Sequence, residues 1–346
     1  MHNLFNRPSV NGLFVMADLG LTCGGCVERS IELIKTAAGL GVDAVKFQML
    51  DAGELLGDRS VEYTYPTLAK GEITENMYEM FLQLQFTDEE WAQIKHQCDL
   101  NDIGLIVTCH VESAVARVNK LDLPVNKICT WSLSHYRMIG ELAKNGKPLI
   151  IDTGTINFED LTDLKNFYSD AGGGEIIILY DFHTSDLADM NFSAVQNLIG
   201  AGFKVGYTPQ GRRDWLDYMA VGLGISFIEK RLTLSRDIPE NGHWKAHNPD
   251  DFKTWMSNIQ ECHRSLGDGR LEATAQDLED AKKYYKSAWL RKDVSAGELI
   301  DESFFEYKRP GVGLSSKEIH AKLLGKPFPK DYKAGEMFTI KKNDFE

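Results

Sequence analysis

The chain alternates between short, almost wholly apolar runs and longer stretches in which apolar residues recur every three or four positions. The apolar runs cover residues 13–19, 41–48, 103–109, 123–130, 148–154, 175–180, 203–208 and 225–230. They have strand length and little regular polar alternation, the pattern of strands covered on both faces. Amphipathic helices are predicted over residues 27–38, 87–100, 113–120, 136–144, 155–168, 192–200 and from about 215. The second of these opens on Thr87 with Glu90 three positions on, the signature of a capping box. Eight strands of this kind alternating with helices predict an α/β fold, a closed parallel (β/α)8 barrel. Residues 51–75 are polar and show no clear period, which predicts a long functional loop over the strand ends. After Asp250 charged helices end near Tyr285 and give way to short apolar pieces between Gly and Pro turns. The expected division is a barrel domain over 1–267, a helical linker over 268–287 and a small β-rich domain over 288–346.

Two strands break the apolar rule at matching places. Lys46 stands among apolar and small residues, where an ammonium without a partner is costly. The period of two puts Ala44, Lys46 and Gln48 on one face, near the strand end where α/β barrels keep their chemistry. Lys127 repeats the arrangement, with Thr130 after it and Thr108 ending the strand between. Two inward lysines with these hydroxyls define an anion pocket suited to a phosphate or a small carboxylate. Each lysine taken singly is also compatible with snorkelling to the rim or pairing with an acid.

Composition narrows the partners. With 346 residues and 43% hydrophobic content, the chain can bury a sizeable core. A net charge of -13 opposes nucleic acids and anionic membranes, so any phosphate must be held locally. No apolar run approaches the roughly 20 residues needed to span a bilayer, and the start lacks the apolar core of a signal peptide. The expected location is therefore cytoplasmic. Six cysteines spread over this length are expected as thiols, and Cys23 and Cys26 form a lone C-x-x-C pair.

The ordered set Asp18-x-Gly20, Lys46-Phe47-Gln48, Asn126-Lys127-Ile128, residues 146–154, Gly206-Tyr207 and Glu229-Lys230 resembles the sialic acid (nonulosonic acid) synthase family. Residues 308–313, 323–326 and 333–336 look like that family's C-terminal antifreeze-like (SAF) domain. The resemblance implies condensation of phosphoenolpyruvate with an open-chain amino-sugar aldehyde, releasing phosphate and giving a 2-keto sugar acid, with a divalent metal polarising the aldehyde. By the same resemblance Lys46, Thr108, Lys127 and Thr130 hold phosphoenolpyruvate. Asp18, where the family has a glutamate, and Gln48 stand near the reacting centre, and His183 and Tyr207 contact substrate. The SAF domain would cover the barrel mouth of a partner in a swapped homodimer, bringing Arg309 to the substrate.

Departures from the family cluster on one side. Its metal-binding histidines are replaced by Gln210, within Tyr207-Thr208-Pro209-Gln210-Gly211, and by Arg231. Residues 22–25, Cys109-His110-Val111 and Gly242 also differ. No metal cofactor is therefore expected, and Arg231 becomes a candidate catalytic group that polarises a carbonyl or holds a carboxylate, or else a salt-bridge partner for Glu229 or another acid. Cys23, Cys109, His110, Asp181 and His183 follow barrel strands, and a rebuilt metal site at Cys23, His110 and His183 is the lesser alternative to ordinary loop residues. Two further readings stand beside the synthase: a metal-independent lyase or aldolase-like enzyme on a phosphorylated ligand, and a binding protein without turnover.

Overall fold

Each apolar run becomes a strand of one closed parallel barrel in the computed structural model, which describes residues 12–340. The strands are β1 (Phe14–Asp18), β2 (Ala44–Met49), β3 (Gly104–Cys109), β4 (Asn126–Ile128), β5 (Leu149–Asp152), β6 (Ile176–Tyr180), β7 (Lys204–Tyr207) and β8 (Phe227–Arg231). Each pairs with the next, and β8 closes on β1 through Phe14↔Phe227 to Asp18↔Arg231.

Alternate side chains sort into two cores, as the period of two requires. Phe14, Met16, Ala44, Ile106, Ile150, Ile177, Leu179 and Phe227 share an inner cluster. Their neighbours Val15, Val45, Leu105, Val107, Ile151, Ile178, Tyr207 and Ile228 pack outward with the helices. Carried one or two steps further, the inward rows leave apolar chemistry altogether and end in Asp18, Lys46, Thr108, Asp152, Asp181 and Glu229. Gly206 makes the closure between β7 and β8 possible, since a Cβ there would sit 2.5 Å from the Phe227 ring.

The helices follow the amphipathic stretches closely, among them Val27–Gly39, Asp88–Leu100, Glu112–Lys120, Tyr136–Ala143, Phe158–Asp170, Ser193–Gly200 and Asp214–Gly222. The Thr87 and Glu90 capping box is formed in both directions, at 3.2 and 2.7 Å. Two expectations need correction. Residues 51–75 are not a structureless loop: a short helix, Ala52–Leu55, precedes an antiparallel hairpin of Glu62–Thr67 and Gly71–Asn76, followed by the helix Met77–Gln83. Most of the hairpin is exposed on both faces, so no apolar face marks its period, and cross-strand contacts such as Thr64 Oγ1 to Thr74 Oγ1 at 2.8 Å hold it. The strand expected over 123–130 is confined to Asn126–Ile128, because Thr130–Ser132 turns into a 3-10 helix.

The chain divides into two compact units that part between Gly267 and Asp268. The second unit contains a helix, Ala275–Tyr284, a two-stranded antiparallel sheet of Ser287–Leu290 and Phe305–Lys308, and a helix, Ser316–Lys322. Its own core gathers Ala288, Leu290, Phe305, Ile319, Phe328 and Phe338. Among the described residues no helix is long and apolar enough to cross a membrane.

Candidate active site

The C-terminal ends of the strands carry a buried lattice of opposite charges. Lys46 Nζ lies 2.7 Å from Asp18 Oδ1 and 3.3 Å from Glu229 Oε1. Lys127 pairs with Asp152, and its Nζ is 4.0 Å from Glu229 Oε2. The two ammonium groups therefore approach different oxygens of one carboxylate. Burial opposes charge on each lysine, yet Asp18 and Glu229 raise Lys46, and Asp152 and Glu229 raise Lys127, above the ordinary lysine range. Burial pushes Glu229 and Asp152 up as well, further than the lysines draw them down. Asp18 behaves oppositely. Burial alone would raise it, but Lys46, Arg231 and the Gly20 amide, which donates to Oδ1 at 3.0 Å, hold it well below the usual carboxylate range.

Hydroxyl and amide groups surround this lattice. Thr108 Oγ1 is buried and has no hydrogen-bond partner among the described residues, as is Glu229 Oε2. Thr130 Oγ1 donates to Asp181 Oδ2 at 3.4 Å, and Gln210 Nε2 donates to Asp181 Oδ1 at 2.8 Å. His183 Nε2 lies 3.6 Å from Asp181 Oδ2, and its ring lies against Trp131 with centroids 4.8 Å apart. Gly154 leaves room for this, since a Cβ there would come within 2.9 Å of both the His183 ring and Thr130. Gly20 does the same for Gln48, whose Cγ lies 2.7 Å from the position of a Cβ.

Arg231 completes the mouth between β8 and β1. Its Nε and one terminal nitrogen donate to Asp18 Oδ2 at 3.1 and 2.8 Å, so its acid partner is Asp18 rather than Glu229. Lys245, in the short turn His243–Lys245, is a second cation here; the Arg231 charge and burial depress it to about 7. An amide that already donates to Asp181 and a guanidinium do not fit a divalent metal between β7 and β8. Among the described residues, no three His, Cys, Asp or Glu side chains are grouped to hold a metal. Cys23 is buried, donates toward the Gly20 carbonyl at 3.6 Å, and is pushed up to about 11 by burial.

One expected contact lies elsewhere. Tyr207 points away from the barrel axis into an aromatic cluster, with its ring centroid 5.1 Å from Phe192 and 6.0 Å from Phe182, because residue 207 falls on the outward row of β7. Arg309 belongs to the second unit, where its Nε donates to the Tyr284 carbonyl at 3.0 Å. Conversely, sequence reasoning passed over Glu229, Asp152 and Lys245 as site residues. Glu229 and Asp152 were legible from the period of two, since each lies two positions beyond an inward apolar residue, Phe227 and Ile150.

Beside the charged lattice lies a cavity of about 560 Å³, on the side of β2, β3 and β4. Gln48, His110 and Ser132 line its polar part, and Leu55, Leu56, Met77, Met80 and Phe81, from the segment carrying the hairpin, line its apolar part.

A (β/α)8 barrel with paired buried lysines at its mouth defines a class of small-molecule enzymes more than any single activity. Residues 33–271 match the model of the NeuB family, more than half of the chain, and the chain belongs to that family. It is 26% identical over 309 residues to an uncharacterised protein of Methanocaldococcus jannaschii, covering 88% of this chain and 87% of that one. It is 26% identical over 329 residues to N,N'-diacetyllegionaminic acid synthase of Campylobacter jejuni subsp. jejuni, covering 93% and 98%. Among solved structures, a putative spore coat polysaccharide biosynthesis protein E from Chromobacterium violaceum matches with a TM-score of 0.74 at 17% identity, covering 94% of this chain and 98% of that one, a likeness of fold.

Proposed function

We propose that the protein is a sugar-acid synthase that condenses phosphoenolpyruvate with an aldehyde acceptor, and that it does so without a divalent metal. The observation that carries the reading is the convergence of Lys46 and Lys127 on the two oxygens of Glu229, beside the unpartnered hydroxyl of Thr108. A site that holds one carboxylate between two buried ammonium groups is built to accept another anion of similar size, and protonation of Glu229 would free the lysines for it. The named synthases among its relatives support the reaction class.

In this reaction C3 of phosphoenolpyruvate bonds to the aldehyde carbon, whose oxygen takes up a proton. Water then adds to C2 and phosphate leaves, giving the 2-keto acid. Lys46, Lys127, Thr108 and Thr130 hold the anionic donor. Arg231 presents a fixed, charged fork to the acceptor carbonyl or the donor carboxylate. Asp18, held as a carboxylate, orients both Lys46 and Arg231 rather than supplying a proton. Glu229 and Asp152, raised by burial, are the acids suited to carry one. The second unit is proposed to be SAF-like and to cover the barrel of a partner in a homodimer, with Arg309 reaching that partner's substrate; a monomer in sedimentation at micromolar concentration would overturn this assembly.

The test of the reaction is phosphate release from phosphoenolpyruvate across a panel of aldoses, with added manganese and after exhaustive chelation. Acceptor-dependent release that survives chelation is expected. Release that needs manganese would remove Arg231 from the metal's role. Release without any acceptor would favour a lyase-like step, and binding without release a non-catalytic protein.

A further inference from the structure

Lys245 stands apart from the other cations of the mouth. Lys46 is bonded to Asp18, Lys127 to Asp152 and Arg231 to Asp18. Lys245 Nζ makes no hydrogen bond or ion pair among the described residues, and lies 5.9 Å from the centre of the Trp244 ring. The backbone that carries it is held on both sides. His243 Nδ1 lies 2.6 Å from Thr233 Oγ1, the Trp244 carbonyl accepts from Arg236 at 2.9 Å, and the Ala246 carbonyl accepts from Arg212 at 3.1 Å. The His247 amide donates to the Arg231 carbonyl and its carbonyl accepts from the Thr233 amide, both at 2.9 Å, while its ring meets Asp214 at 3.1 Å. The turn is thus locked to the end of β8, the strand that carries Arg231, and the group it leaves unengaged is the Lys245 amine. Around that amine stand Arg231 at the end of β8, Asp18 at the end of β1, Lys46 on β2 and Asp181 after β6. The Arg231 charge and burial outweigh the two acids, so near pH 7 the amine is divided between its charged and neutral forms. A group that can both give and take a proton at neutral pH is suited to acid and base work in turn.

We propose that Lys245 is a catalytic residue that carries the proton of the condensation, giving it to the acceptor's aldehyde oxygen and recovering it from the water that attacks C2. In the first step the C2–C3 π electrons of phosphoenolpyruvate form the new bond to the aldehyde carbon. The carbonyl π pair moves onto oxygen, and the Lys245 ammonium supplies the proton. In the second step water bonds to the electron-poor C2, and the Lys245 amine removes a proton from it. The C2–O bond to phosphate then breaks with its electron pair, while the hydroxyl on C2 becomes the keto group and its proton leaves with the phosphate. The lysine ends as the ammonium it began as, so the cycle needs no outside acid or base. Glu229 and Asp152, each against a lysine ammonium, serve the donor's side of the pocket, whereas Lys245 serves the reacting oxygens. The assignment rests on the synthase reading.

The experiment follows phosphate release by the full chain, with phosphoenolpyruvate and the aldose of the panel that supports release, as a function of pH. For the unsubstituted protein kcat/KM should fall above about pH 7, where the amine has lost the proton that the first step needs. Lys245→Met should slow release roughly a hundredfold or more and abolish that alkaline fall. Lys245→Arg keeps the charge but does not release a proton near neutrality, so it should be as slow as Lys245→Met. Both variants should still bind phosphoenolpyruvate in calorimetry, which reports that they are folded. A readout without turnover is reductive methylation with formaldehyde and cyanoborohydride at pH 7, followed by mass spectrometry. Lys245 should be methylated ahead of exposed lysines such as Lys144 and Lys333, and bound phosphoenolpyruvate should protect it. Release by Lys245→Met at the unsubstituted rate, an alkaline fall that persists in it, recovery of the rate in Lys245→Arg, or methylation of Lys245 no faster than Lys144 would each overturn the proposal. An unsubstituted protein that binds phosphoenolpyruvate and is methylated first at Lys245, yet releases no phosphate with any aldose, would overturn the synthase reading and the proton-carrying role with it.

Discussion

Lys46 and Lys127 are buried beside acids, so substitution can separate their structural role from the binding role proposed for them. Lys46→Met or Lys127→Met retains much of the packing and removes a charge from the pocket, so phosphoenolpyruvate affinity should fall by roughly 2 to 5 kcal/mol. Calorimetry checks this, and unaltered binding in both variants would refute the shared pocket. Both variants should also melt lower, because the partner acids lose a buried counter-charge. Lys245 gives a pH prediction. Its folded value of about 7 lies below the ordinary lysine value, so between about pH 7 and 10 the unfolded chain binds a proton that the folded chain does not. Its contribution therefore lowers stability as pH falls through that window. An anion bound beside Arg231 and Lys245 should restore the ammonium, so binding of phosphoenolpyruvate at pH 8 should take up protons. Calorimetry in two buffers of different protonation enthalpy measures the uptake. Equal uptake by Lys245→Met would assign it to Glu229, Asp152 or Asp181 instead, the acids that burial raises.

At the scale of elements, the barrel depends on positions where a side chain is absent as much as on those where one is buried. Gly206→Val would drive a branched side chain into the Phe227 ring, within the inner cluster that closes the barrel. A loss of several kcal/mol in denaturant stability is expected, on the order of 3 or more, since neither strand can withdraw without breaking the ladder. A near-neutral result would mean that β7 and β8 repack. The capping box at Thr87 supplies a milder contrast: Thr87→Ala should cost about 1 kcal/mol and leave phosphoenolpyruvate binding untouched, because its helix caps the outer layer. The hairpin over residues 62–76 shows the limit of periodicity at this scale. Its pairing comes from backbone ladders and polar cross-strand contacts, which leave no apolar stripe to read.

For the whole molecule, the barrel and the second unit each bury apolar clusters of their own. The barrel core and the cluster around Phe305, Phe328 and Phe338 share no residue, and the chain parts between Gly267 and Asp268. Phe338→Ala should therefore cost the second unit about 3 to 5 kcal/mol while leaving the melting of the barrel unchanged. Two calorimetric transitions, with the variant shifting one alone, would bear this out; a single transition shifted as a whole would show that the units unfold together.

Much of this architecture was legible before folding was considered. Eight apolar runs separated by amphipathic helices leave few alternatives to a parallel barrel, because strands covered on both faces need helices outside and side chains within. Lys46, Lys127, Thr108 and Thr130 were legible for a related reason: polar residues at the ends of apolar rows are costly unless they meet partners. Which partners they meet depended on register. The offset between β8 and its neighbours brings Glu229 between the two lysines and sets Asp18, not Glu229, against Arg231. The approach of His110 to Cys129, nineteen positions away, likewise follows from how the ends of β3 and β4 turn over the mouth. Hydrophobic period is a local property carried by each segment, whereas the pairing of charges is a property of neighbours that become neighbours only when the barrel closes.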